Sequence, residues 1–245
     1  MKLLFNKNKQ TLLNSFMKKL FALLLLPSIA FAGNVGKNYV GAGLGYISSN
    51  FEVAAVDFDF DGFAYSLGAN FNAVPLSSSY GADISISFAQ GSGLEGNSNV
   101  TNALGANVEI DSTSMVLALR PFTKLGGNIV FADLGYSYGK SELDVAGVKT
   151  SDSDSAFALG IGTEIDLNNL TFTPSLTWIF NDNEAASNVD LSDAISLSLP
   201  FDYHYSEKLD ISFGYTHVFY DSYTFQGASI EPSGDAFTLG IKYKY

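Results

Sequence analysis

The chain has 245 residues, 47% of them aliphatic or aromatic and only 16% charged, with a formal net charge of −12. That balance excludes a disordered chain, and the acidity excludes nucleic acid as a partner, because phosphate contacts need clustered Lys and Arg. There is no cysteine, which removes disulfides, thiolate metal ligands and thiol nucleophiles.

The first recognisable element is "MKKLFALLLLPSIAFA", residues 17–32. Lys18 and Lys19 precede an apolar run from Leu20 to Leu26, then Pro27, and the stretch ends Ala30-Phe31-Ala32. This is the pattern of a secretory signal peptide, and the run is well short of the ~20 residues a spanning helix needs. Residues 1–32 are therefore expected to be a signal peptide cut after Ala32, with Met17 as an alternative start. Their removal leaves 33–245 as one exported domain with eight Lys and Arg against 25 Asp and Glu, near −17.

Beyond residue 33 the recurring period is two, the period of strands. Phe63, Tyr65 and Leu67 share one face; Ile84, Ile86 and Phe88 another; Ile195, Leu197, Leu199, Phe201, Tyr203 and Tyr205 a third. At the end of the chain Phe237, Leu239, Ile241, Tyr243 and Tyr245 oppose Thr238, Gly240, Lys242 and Lys244. Ten such segments are predicted at 38–47, 62–72, 80–90, 110–121, 128–139, 154–165, 169–180, 190–205, 209–220 and 235–245. Short connectors at 73–79, 122–127, 166–168 and 206–208 alternate with long Asp-, Ser-, Asn- and Gly-rich ones at 48–61, 91–109, 140–153, 181–189 and 221–234.

A soluble β-sandwich also alternates apolar and polar residues. It has no reason to alternate its loop lengths or to keep so many strands nearly free of charge. A transmembrane barrel requires both, and closure satisfies the backbone groups that lipid leaves unpaired. The expected fold is all-β: a closed antiparallel barrel of ten strands, with eight as the alternative, in the outer membrane of a Gram-negative bacterium. Two aromatic girdles are expected, with Phe71, Phe122, Phe201, Tyr203, Tyr243 and Tyr245 near short turns and Trp178, Phe180, Phe219, Tyr220 and Tyr223 near long loops.

The terminal "TLGIKYKY" resembles the C-terminal signal read by the barrel-assembly machinery, with Thr238, Gly240, Tyr243 and Tyr245 in the polar, glycine and aromatic positions. "NYVGAGLGYIS" (38–48), "AFALGIGTEI" (156–165) and "LPFDYHYSEKLDISFGYTHVF" (199–219) resemble strands of the small outer-membrane β-barrel superfamily, the OmpA-, OmpX- and opacity-type proteins. The resemblance implies an integral barrel with outer-membrane lipid, lipopolysaccharide, periplasmic chaperones and the assembly machinery as its partners. Those barrels commonly have eight strands, where ten are counted here.

Most inward positions are Gly, Ala, Ser or Thr. The ionisable exceptions, Asp83, Arg120, Glu164, Asp202, His204, Lys242 and Lys244, fall near short turns or the C-terminus, with Asp133 higher. Mixed signs at one level predict an ion-paired plug, or alternatively the constriction of a narrow porin-like channel. "DFDFDG" (57–62) opens like a calcium loop, but Gly68 stands where the bidentate acid belongs. Asp57, Asp59 and Asp61 are thus a weak cation site at most, and an acidic solvated loop by preference, as is "SDSDS" (151–155).

Asp202 and His204 look locally like the pair of the ten-stranded omptin proteases but lie beside a short turn, the wrong end. His217, on the apolar face, lacks a serine beside it on the same face of its strand to serve as nucleophile. The expectation is a non-enzymatic envelope protein without cofactor or metal. A small-solute channel comes second, and a lipopolysaccharide-modifying enzyme a distant third.

Overall fold

The computed structural model describes residues 34–53, 56–76, 80–181, 194–225 and 228–245. The signal-peptide expectation falls outside them. The strands are β1 (Tyr39–Val53), β2 (Val56–Val74), β3 (Tyr80–Gly96), β4 (Val108–Leu125), β5 (Asn128–Val145), β6 (Val148–Asp166), β7 (Leu170–Phe172), β8 (Ser175–Asn181), β9 (Ala194–His204), β10 (Leu209–Tyr220), β11 (Tyr223–Phe225) and β12 (Ala228–Lys244). A seven-residue helix, α1 (Ser98–Leu104), lies between β3 and β4.

All pairings are antiparallel between neighbours, and β1 pairs with β12 from Tyr39↔Lys244 to Val53↔Ile230, fifteen residue pairs that close the barrel. β7 and β8 are two parts of one wall strand, broken at Thr173-Pro174, and β11 is a short arm on β12. The wall therefore has ten strands, as expected. Facing the break is Pro200 on β9, so β7 and β8 share only three and five register pairs with β9. Neither proline has an N–H to give to the ladder. Outside, Phe172, Phe201 and Phe213 stack across this seam at centroid distances of 4.4 and 5.2 Å.

The main departure from expectation is strand length. Of the stretches expected as long loops, 48–53, 56–61, 91–96, 140–145 and 148–153 are strand, so Asp57, Asp59 and Asp61 and the "SDSDS" acids sit on β2 and β6. β2 has 19 residues, about 60 Å at ~3.3 Å per residue, whereas roughly 9–11 residues cross a bilayer. Each long strand changes polarity along its length. On β1 the outward residues Val40, Ala42, Leu44 and Tyr46 give way to Ser48, Asn50 and Glu52, while inward glycines give way to Ile47 and Phe51. On β2 Phe63, Tyr65 and Leu67 face out below Asp57, Asp59 and Asp61, and Phe60 turns in.

At the loop end the inward Ile47, Phe51, Phe60, Leu94, Val108, Ile110, Leu143 and Val145 form one packed cluster. α1 closes onto it through Val100, held by the Asn97 side chain, which accepts from the N–H groups of Asn99 and Val100. The loop-end half is thus built inside out relative to the membrane belt. Alternation persists through both halves, but an acidic outward face had the composition of a solvated loop.

Candidate functional site

The inward positions near the short turns come together as a charged layer across the base of the lumen. Lys242, fully buried, donates to both carboxylate oxygens of Asp202 at 2.8 and 2.9 Å. Lys244 donates to Asp210 at 2.7 Å, and the His204 ring bonds Asp210 through Nδ1 at 2.9 Å and Thr171 through Nε2 at 2.7 Å. Arg120 grips Asp133 with Nε at 2.7 Å and a terminal nitrogen at 3.0 Å, and its guanidinium lies 4.3 Å over the Phe131 ring. Asp83 accepts from Asn72 at 2.8 Å, and Glu164 is buried on the same layer. All eight residues expected in the lumen cluster face inward.

The sequence reading missed what fills the centre of this layer. Asn34, Val35 and Gly36 cross the base as a strap. The Asn34 amide donates to Asp210 at 2.8 Å and to Asp202 at 3.3 Å. Val35 N–H donates to Glu164 at 2.8 Å, and Gly36 N–H to Asp83 at 2.7 Å. Four carboxylates from β3, β6, β9 and β10 thereby hold three consecutive residues. Asp210 was also missed, since it opens β10 after a short turn and its inward parity only shows once the register is known. Val35 packs on Phe122 and Phe131. Phe122 and Phe131 each lean over a glycine on the next strand: a Cβ on Gly81 would stand 2.4 Å from Phe122, and one on Gly162 2.3 Å from Phe131.

Between the charged base and the apolar top, the inward face carries small hydroxyls. Ser112, Ser141 and Ser196 have buried hydroxyl oxygens without a hydrogen-bond partner, as does Thr173 at the break. Such atoms are normally satisfied by water when no protein group reaches them.

On the outward face His217 bonds Asp235 through Nδ1 at 2.8 Å, and Tyr215 donates its hydroxyl to the same oxygen at 2.5 Å. Above it, outward acids stand directly opposite one another: Asp61, Glu95, Glu109 and Asp144 across β2–β5, and Glu231, Glu52 and Asp57 across β12, β1 and β2. Facing like charges destabilise a sheet, so these rows belong to water rather than lipid. Asp59 takes the Asn50 and Asn97 amides at 2.6 and 2.8 Å, and among the described residues no three acids or histidines are arranged to hold a metal.

Two expected girdle members are corrected. Phe122 and Tyr220 point into the barrel, Phe122 because Val35 and Phe131 fill the base around it, and Tyr220 beside the apolar top. Tyr223's side chain lies outside the described residues, while Phe71, Phe180, Phe219, Tyr203, Tyr243 and Tyr245 are exposed outward. Thr238, Gly240 and Tyr243 lie on β12, with Tyr245 just past its end.

A closed antiparallel barrel, apolar outside over one belt and polar within it, is the architecture of a transmembrane β-barrel. The chain belongs to the outer membrane protein beta-barrel domain family, whose sequence profile matches residues 20–174. Among solved structures it is similar to the translocator domain of the autotransporter NalP from Neisseria meningitidis, at 10% identity and TM-score 0.55, covering 96% of this chain and 98% of that one. It is also similar to the Escherichia coli outer membrane protease OmpT (8% identity, TM-score 0.52, 86% and 98% covered). The transport unit of AIDA-I from Escherichia coli is a third (10%, 0.51, 95% and 98%). At these identities the likeness is one of fold. No curated protein sequence matches the chain.

Proposed function

We propose that this outer-membrane barrel is a non-enzymatic envelope protein whose lumen is shut at its periplasmic base, with residues 1–32 removed on export. The observation that carries the reading is the strap of Asn34, Val35 and Gly36, bonded to four carboxylates beside the buried Lys242–Asp202 pair. The apolar cluster and α1 support closure at the opposite end. In this orientation the acidic rows face the cell exterior and the apolar belt meets outer-membrane lipid and lipopolysaccharide. Thr238, Gly240, Tyr243 and Tyr245 present the edge that the assembly machinery, supplied by periplasmic chaperones, would engage.

The test is single-channel recording on the refolded 33–245 chain in planar bilayers. Silence from a barrel that is folded by heat-modifiable gel migration is the expected result. Steady openings altered by Lys242→Ala would instead establish the second reading, a narrow diffusion channel, which the unpartnered hydroxyls of Ser112, Ser141 and Ser196 favour.

A lipid-modifying role would rest on His217, which has a carboxylate partner to orient it. Among the described residues no serine bonds it, so the Asp235 contact is read as neutralising two polar groups at the membrane boundary. His217→Ala is expected to leave lipid A composition unchanged, as judged by mass spectrometry.

A further inference from the structure

One polar cluster on the outside of the barrel belongs neither to the apolar belt nor to the acidic rows. Along β12 the outward side chains run Ile241, Leu239 and Phe237, then Asp235 and Ser233. Asp235 is paired in register with His217 on β10, where the outward side chains are Phe213, Tyr215, His217 and Phe219. Phe219, on the loop side of the histidine, is still exposed outward, so the carboxylate meets its partner inside the apolar belt. Ionisable groups kept at membrane depth are costly and mark functional sites.

Two donors hold this carboxylate, and both hold the same oxygen. The His217 ring bonds Oδ1 through Nδ1 at 2.8 Å, and the Tyr215 hydroxyl donates to it at 2.5 Å. Oδ2 accepts no hydrogen bond among the described residues, although Ser48 stands opposite Asp235 on β1. The carboxylate is thus fixed by one oxygen while the other is left to the headgroup layer. Its surroundings set the sign of what it receives. Asp61 lies one strand beyond Ser48, and Glu231 four residues along β12. Among the described residues, no outward position of β9, β10, β12, β1 or β2 carries Lys or Arg. A phosphate alone would meet acids there, with no permanent cation to hold it.

We propose that Asp235, oriented by His217 and Tyr215, seats the primary ammonium of an ethanolamine headgroup, carried by a phospholipid or by lipopolysaccharide. A primary ammonium offers three protons and accepts none, and its bond to a carboxylate is roughly twice as strong as a neutral one. A trimethylated ammonium has the same charge but no proton to donate, so a choline headgroup fits the seat less well. The acyl chains of the bound lipid run along the exposed rings and branches of Phe237, Leu239 and Phe213. The inference needs the belt to face lipid and is independent of whether the lumen conducts.

The test is lipid titration of the folded barrel in detergent micelles, read by native mass spectrometry. Phosphatidylethanolamine is expected to bind at least tenfold tighter than phosphatidylcholine or phosphatidylglycerol with the same chains. Asp235→Asn should remove that preference, whereas Glu231→Gln, outward but beyond the belt, should keep it. The headgroup series on the unaltered chain decides the matter even where Asp235→Asn fails to fold. Lipopolysaccharide with and without phosphoethanolamine, titrated in parallel, separates the two sources: a tenfold gain from the ethanolamine group on either carrier supports the seat. Equal binding of the ethanolamine and choline lipids, or tighter binding of phosphatidylglycerol, overturns it. So does an ethanolamine preference that survives in Asp235→Asn.

Discussion

The membrane belt and the loop-end half of this barrel are built from the same strands with opposite polarity. On β1, Leu44 faces out and Gly43 in; a few residues on, Ser48 faces out and Ile47 in. The backbone ladder continues unchanged through the reversal, from Tyr39↔Asn70 to Val53↔Val56. What differs is the solvent. Lipid rewards apolar surface outside and leaves the lumen to hydroxyls and ion pairs, whereas water rewards acids outside and an apolar core within. The two halves also differ in how they hold together, one by buried charge and the other by packing.

The sharpest way to break the lower half is Lys242→Ala. It strands Asp202 in a buried layer, and removing one partner of such a pair costs about 3–5 kcal/mol. Denaturant unfolding in micelles should show that loss, with much of it recovered by Lys242→Met combined with Asp202→Leu. For the upper half, Leu94→Ala should cost about 2–5 kcal/mol, as a cavity in a packed core does. Hydrogen exchange should place the loosening in β3, β4 and α1 while the belt stays protected. The boundary itself is tested by moving one charge along one face. Leu44→Arg should cost roughly 2–4 kcal/mol as a lipid-facing cation, and Ser48→Arg, four residues on and opposite Asp61 and Asp235, about 0.5 kcal/mol or less.

These contrasts also explain what the sequence disclosed. Alternation located all ten wall strands and put every residue of the lumen cluster on the correct face, because a membrane belt forces a period of two with a fixed sign. Strand ends were misplaced where that sign reversed: Asp57, Asp59 and Asp61 looked like a loop because Phe58 and Phe60 between them read as scattered apolar residues rather than a core. The strap was illegible for another reason. Asn34, Val35 and Gly36 have no periodicity, and their role is set by one side-chain amide and two backbone N–H groups meeting carboxylates as far as 176 positions away. A surplus of inward acids over inward bases was the one available signal, and it shows only when parity is followed strand by strand.

The interrupted strand at Pro174 bears on mechanics. The place where the two ends of the chain meet is joined over the full length of β1, while the β7–β8 seam with β9 has eight register pairs among the described residues, split by two prolines and covered by three stacked rings. Under lateral tension in the bilayer a wall tears where fewest bonds share the load. This barrel would part at the proline seam on its flank, leaving the closure between its first and last strands intact.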